Sequence, residues 1–101
     1  MSMNMSLIKR GTEGELVLDG YIDASNAAEV EKILVDVAGQ FDTLVLNMEK
    51  LEYVSSAGLR AFKRVYMDMR QKHGVLMAKN VGKMVMEVLE VTGFTRLFKF
   101  V

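Results

Sequence analysis

The stretch Leu51 to Arg60, LEYVSSAGLR, sets two hydroxyls, Ser55 and Ser56, among small residues that leave them accessible, just ahead of an amphipathic segment. Two kinds of chemistry use a serine placed this way. At a helix N-cap its oxygen accepts a bond from an unpaired backbone amide, and Ser56 is placed at or near that position. On a strand-to-helix turn it can instead be a hydrolase nucleophile, and Val54 to Gly58, VSSAG, is one glycine short of the G-x-S-x-G elbow. The second use requires a general base. His73, the only histidine, lies seventeen residues further along the same predicted helix, roughly 25 Å away at 1.5 Å per residue and beyond hydrogen-bond reach. Capping is therefore favoured over catalysis. Gly58 lets another backbone or a partner approach the first helical turn.

A second strand-to-helix passage is Gly20 to Asn26, GYIDASN, where Asp23 complements the positive end of a helix. No G-x-x-x-x-G-K-[ST] or G-x-G-x-x-G cradle accompanies it, so no nucleotide fingerprint is present. Glu49 and Glu52 read as solvated loop charges, and Lys63, Arg64, Arg70 and Lys72 as a wet helix face. Of Met84 and Met86, two apart and so on different helix faces, Met84 is assigned to the core and Met86 to the surface. His73 is assigned to the end of its helix, interacting with the dipole.

The composition limits the partners. The absence of cysteine removes disulfides, thiolate metal sites and cysteine nucleophiles, and one histidine cannot build a metal centre, so no cofactor is expected. Thirteen Lys and Arg balance thirteen Asp and Glu, a field that attracts neither nucleic acid nor an anionic membrane. No window approaches the roughly 20 apolar residues of a membrane span, and the N-terminus lacks the order of a secretory signal. The expected compartment is the cytoplasm, and residues 1–101 are expected to form one domain.

The elements that must position the serines follow from periodicity. Gly11 to Gly14 separates two short runs, Met3 to Lys9 and Glu15 to Tyr21, as in a hairpin. Val30, Ile33, Leu34 and Val37 recur at helical spacing, with Asp23, Ser25 and Asn26 as N-cap candidates and Gly39 as a left-handed terminator. Thr43 to Met48 reads as a buried strand, followed by a loop. Phe62, Val65, Tyr66 and Met69 form the stripe of a second helix closed by His73-Gly74. Val75 to Ala78 is another buried strand. Asn80 is expected to cap a third helix, carrying Val81, Met84, Val85 and Val88 and ending at Gly93. Leu97 to Val101 is expected to be a final edge strand. Repeated strand-helix-strand units require parallel pairing beside the antiparallel hairpin, hence a mixed sheet in an α/β fold.

Three segments, LVLDGYIDASNAAEVEKIL, DTLVLNMEKLEYVSSAGLR and EVLEVTGFTRLFKF, together resemble the STAS domain of stand-alone bacterial anti-sigma factor antagonists, over Leu7 to Phe100. The resemblance implies a STAS-like mixed β-sheet of four to five strands packed with three or more helices. It implies a non-enzymatic, phosphorylation-switched binding module: unmodified, it holds an anti-sigma factor that is also a serine kinase, and after phosphorylation it releases it, so regulating transcription. A PP2C-type phosphatase is the implied resetting partner. By position the acceptor is Ser56, with Ser55 as the alternative. Asp23, Tyr53, Ser55, Ala57, Gly58 and Arg60 form the implied docking face. Weak nucleotide binding, a property of some STAS domains, is a further and lower-ranked implication of the resemblance. The sequence departs from the family pattern in having Ser55 where an acidic residue often precedes the acceptor, and Ala57 where a second hydroxyl often follows. The competing expectation is an unmodified structural subunit of a larger signalling or transporter-associated complex.

Overall fold

A computed structural model describes residues 3–101. Its first two strands, β1 (Met3–Arg10) and β2 (Glu13–Ile22), form the expected antiparallel hairpin. Gly11, at φ +61°, and Thr12 alone make the turn, because Arg10 already pairs with Glu13. Gly14 is strand rather than turn: a Cβ there would lie 2.5 Å from the Phe41 ring. There follow α1 (Ala27–Ala38), β3 (Thr43–Val54), α2 (Ser56–Gln71), β4 (Val75–Lys79), α3 (Lys83–Thr92), a 3-10 turn (Phe94–Leu97) and β5 (Lys99–Phe100). The sheet order is β1-β2-β3-β4-β5, parallel from β2 onward.

All three helices cover one face. Leu16 and Leu18 of β2, Leu44 and Leu46 of β3, and Leu76 and Ala78 of β4 form one buried cluster with Val30 and Leu34 of α1, Phe62 and Val65 of α2, and Val85 and Leu89 of α3. Phe98 closes the cluster at the far edge, its ring 5.7 Å from Phe62 and nearly perpendicular to it, an edge-to-face arrangement favoured by the ring quadrupoles. No helix among the described residues is long and apolar enough to cross a membrane.

The main departure from the sequence reading is β3, which continues through Val54 where a loop is expected after Met48. Two irregularities hide it from a period-two pattern. Between the pairs Val17–Asn47 and Asp19–Lys50, and again between Gly20–Leu51 and Tyr21–Tyr53, β3 carries one more residue than β2. Each extra residue resets the alternation, as a β-bulge does. Met48, Leu51 and Val54 therefore all face the core at spacings of three, while Glu49, Lys50, Glu52 and Tyr53 are exposed.

Helix ends account for most other corrections. Gly39 ends α1 in the right-handed region, at φ −67°, not as a left-handed terminator. After α2 the left-handed residue is His73, at φ +61°, whose amide donates to Arg70 O while Gly74 N donates to Met69 O, a Schellman closure. Gly74 is held instead by space, since a Cβ would meet Asp42 O at 2.8 Å. Asn80 does not cap α3. It takes φ +58° and its side chain donates to Asn47 Oδ1, and Gly82 is the residue that precedes the helix. With α3 starting there, Val85 and Leu89 are buried, Met86 is half-buried and Met84 is 65% exposed, reversing the expected roles of the two methionines. Gly93 ends α3 at φ +76° as expected. The last strand is two residues long, Leu97 belonging to the 3-10 turn and Phe98 to the core.

The uncovered sheet face holds the one buried charge among the described residues. Glu15 is 4% exposed; its carboxylate accepts from Arg10 Nη1 at 2.9 Å and Asn47 Nδ2 at 3.0 Å, with Lys79 Nζ at 3.5 Å. These partners tie β1, β3 and β4 to β2. The Arg10 hydrogen bond, then that of Asn47, holds the Glu15 carboxyl below its usual range. A lowered native value means that the charged form stabilises the fold above the unfolded carboxyl pKa, and that this stabilisation is lost as pH falls through the native value. Glu15→Gln is expected to lose about 1 to 3 kcal/mol at pH 7, the usual cost of breaking a buried charged hydrogen-bond set. Urea unfolding should show the gap from the unsubstituted protein narrowing as pH falls below the unfolded carboxyl pKa and through the lowered native one; a gap independent of pH would disprove the ionic origin.

Candidate functional site

Two strand-to-helix turns lie side by side at the carboxyl ends of β2 and β3. Tyr21 pairs with Tyr53 and Ile22 with Val54, and Ser55 N donates to Ile22 O at 2.8 Å, so the entries to α1 and α2 are joined by backbone bonds. The α1 entry is a closed polar turn. Asp23 accepts from both the amide and the hydroxyl of Ser25, and Asn26 accepts from Asp23 N and donates to Tyr21 O. The hydroxyl bond from Ser25, then its amide bond, keeps the Asp23 carboxyl below its ordinary value. Of the three N-cap candidates, Asn26 occupies the position, yet its side chain braces the turn instead of bonding the helix amides.

At α2 the two adjacent serines divide the work. Ser55 is the N-cap, half-buried, its Oγ accepting from Gly58 N at 3.3 Å. Ser56, placed at or near the cap by sequence, is the first residue of the helix and is exposed. Among the described residues no protein group bonds its hydroxyl, and no protein acceptor takes the amides of Ser56 or Ala57. Those amides lie at the positive end of a 16-residue helix with no acidic residue in its first turn, a setting that accepts an anion. His73 stands beyond the opposite end of the same helix.

Gly58 is buried. A Cβ there would lie 2.6 Å from Val54 Cγ2 and 2.8 Å from Ile22 Cγ2. The missing side chain lets α2 settle on its own strands, a packing role that accounts for the glycine. The remaining predicted residues do reach solvent. Tyr53 is 50% exposed, Arg60 is exposed one turn beyond Ser56, and Asp23, Ser55 and Ala57 are half-buried. The sequence reading missed Met84. Together with Tyr53 and Val88 it lines a small cleft of about 20 Å³, so two exposed apolar side chains flank the serine turn. The signal that could have found Met84 is the α3 start, two residues later than Asn80 suggests.

The STAS domain family model matches residues 6–101. The chain belongs to the STAS domain family. A relative in Bordetella bronchiseptica, provisionally named the anti-sigma factor antagonist BtrV, is 34% identical over 100 residues, covering 93% of this chain and 84% of that protein. Two solved structures share the fold. One is an anti-sigma factor antagonist from Mycobacterium paratuberculosis, with a TM-score of 0.82 and 20% identity over 98% of this chain and 85% of that one. The other is the Bacillus cell fate determinant SpoIIAA in its phosphorylated form, with a TM-score of 0.73 and 15% identity over 99% and 91%. The mixed five-stranded sheet with its three helices is thus the STAS architecture, with the opening hairpin followed by strand-helix alternation.

Within this STAS domain the two serines are separable by stability. Ser55→Ala should cost about 0.5 to 1 kcal/mol, the lower part of the range for a lost cap, whereas Ser56→Ala should stay within about 0.5 kcal/mol, as at exposed positions. Chemical denaturation checks both, and equal costs would show that the capping assignment is wrong. Gly58→Ala should destabilise by about 1 to 3 kcal/mol, because overpacking against two branched side chains outweighs the roughly 1 kcal/mol gained in helix propensity. A raised melting temperature for that variant would contradict the packing account.

Proposed function

We propose that this STAS domain is an anti-sigma factor antagonist, a binding module controlled by phosphorylation of Ser56. The observation that carries the proposal is the free, exposed Ser56 hydroxyl on the first turn of α2, beside unpartnered amides and the apolar pair Tyr53 and Met84. The name of the Bordetella relative supports the role, and the phosphorylated SpoIIAA structure supports the modification in a protein of the same fold. Ser55 is the weaker acceptor, since its oxygen is half-buried and already engaged.

In this reading the anti-sigma factor is also a serine kinase and supplies ATP and the base. Ser56 Oγ attacks the γ-phosphorus, the bond to ADP breaks, and the hydroxyl proton passes to the kinase. A PP2C-type phosphatase reverses the modification by hydrolysis. The domain itself acts by binding, with the cytoplasm as its compartment and regulation of transcription as the result.

Phosphorylation adds roughly 1.5 to 2 negative charges. At α2 that charge meets a helix N-terminus and free amides, so the fold keeps its stability. Across an interface built around a neutral hydroxyl, the same charge must be desolvated or face its like, at a cost of several kcal/mol, and each 1.4 kcal/mol is tenfold in affinity. Incubation with a candidate kinase and ATP should place phosphate on Ser56 by mass spectrometry. Ser56→Ala should bind that kinase like the unmodified protein, and Ser56→Glu at least about tenfold more weakly. Equal affinities for all three forms would favour the constitutive structural subunit and end the switch reading.

A further inference from the structure

Beyond Arg60, the solvent face of α2 continues as Lys63, Met67 and Arg70, spaced so that they lie in line with Ser56. This far half of the helix is one wall of an open groove of about 1000 Å³, with Arg96 and Leu97 of the 3-10 turn on the other wall. Its floor is carbon: Met67 is 55% exposed, and Tyr66 and Leu97 are half-buried. Its rim is cationic. Lys63, Arg70 and Arg96 have no carboxylate within 4.0 Å among the described residues, and the groove's carboxylate, Asp68, is held by Arg64 at 3.4 Å. In a chain of zero formal net charge, four cations against one carboxylate around one groove is a local segregation of charge.

We propose that this groove is a second docking site, one that takes an acidic amphipathic helix of a protein partner and works independently of Ser56. Charge complementarity selects the occupant. Apolar anchors at i, i+3 and i+7 would rest on Met67, Tyr66 and Leu97, the helix-in-groove mode, while flanking carboxylates meet Lys63, Arg70 and Arg96. Nucleic acid fits less well, since a phosphate backbone gains nothing from a carbon floor and the whole molecule supplies no attracting field. Met67 suits such a surface because its unbranched thioether adapts to varied apolar anchors. The groove's centre is eleven residues along α2 from Ser56, roughly 16 Å at 1.5 Å per residue. That exceeds the Debye length of about 8 Å at physiological salt, so a phosphate on Ser56 leaves the groove's field nearly unchanged. A partner anchored here would stay tethered through a change of contacts at the serine turn.

The test is an amide chemical-shift titration of the whole protein with a synthetic 14-residue helical peptide of Leu, Ala and Glu, leucines at i, i+3 and i+7. Saturable shifts confined to residues 63–73 and 96–97 are expected, with Ser56→Glu altering the affinity less than twofold. The folded double variant Lys63→Glu/Arg96→Glu should bind at least tenfold more weakly, and Arg96→Gln severalfold more weakly if the double variant does not fold. The proposal is overturned by any of four results. These are no localised shifts at 1 mM peptide, equal binding of the counterpart with Lys replacing Glu, stronger perturbation of the same amides by a 12-base-pair DNA or phosphatidylglycerol vesicles, or shifts at those amides on concentrating the protein alone, which would make a second copy the occupant. Because Ser56→Glu is expected to be silent here, failure of the groove and failure of the phosphorylation switch are read separately.

Discussion

The approach of α2 onto the ends of β2 and β3 is the constraint on which the rest of the site depends. Gly58 sits where any side chain would press into Ile22 and Val54, and both of those residues are buried under the first turn. With Gly58 inward, helical geometry turns Ser56 and Arg60 outward, since residues two apart on a helix point in widely different directions. The exposure of the Ser56 hydroxyl is thus a consequence of packing on the opposite side of the same turn. Ser55 completes the arrangement from below, its amide bonded to Ile22 O and its oxygen to Gly58 N. The helix start is held by its neighbours, and the Ser56 side chain contributes no bond to it.

The bulges in β3 serve the same end. A regular strand would alternate from Met48, and the residues at positions 51 and 53 would face away from the core while position 54 faced into it. The two inserted residues bring Leu51 inward and turn Glu52 out, leaving Tyr53 exposed beside it. The strand reaches Val54 with an apolar anchor beneath the helix start and an exposed aromatic ring beside it. Bulges beside functional positions commonly re-aim a side chain in this way. Here the re-aimed side chains are Leu51 and Glu52, while Tyr53 stays outward and lines the small cleft with Met84 of α3.

Much of this was legible in the sequence, and the reasons for the exceptions are specific. Regular alternation and unbroken helical stripes revealed the hairpin, α1, α2, β4 and the mixed sheet, because binary pattern and secondary-structure period coincide there. β3 was read six residues short because its period is broken twice. Gly39 and Asn80 were misassigned because residue type is a weak guide to a helix end when tertiary contacts decide it: the chain after α1 must carry Phe41 to its place against Gly14, and Asn80 bonds Asn47 across the sheet. The Asn80 misassignment placed Met84 in the core. Glu15 was read only as one side of an alternating strand; its burial depends on Arg10, Asn47 and Lys79, and the last two lie 32 and 64 positions away. At the serine turn the sequence places Ser56 within one residue of its observed position, and of the two uses it allows for Gly58, close approach of another segment or of a partner, the protein's own strands supply the first.

The distribution of polar bonds separates what holds the domain from what it offers to others. Glu15, Asn26 and Ser55 are all engaged within the chain, and each ties together elements distant in sequence or a strand to its helix. Ser56, Tyr53, Arg60 and Met84 are exposed at the same end of the sheet, and none holds a recorded side-chain bond among the described residues. A group that is solvated in the free protein and makes no internal bond can gain a charge with little change in folding free energy, because the native and unfolded chains both leave it in water. An interface closed over that group would feel the full desolvation cost. The same added charge is therefore nearly silent for folding and large for binding, and that asymmetry is what a partner switch built on covalent modification requires.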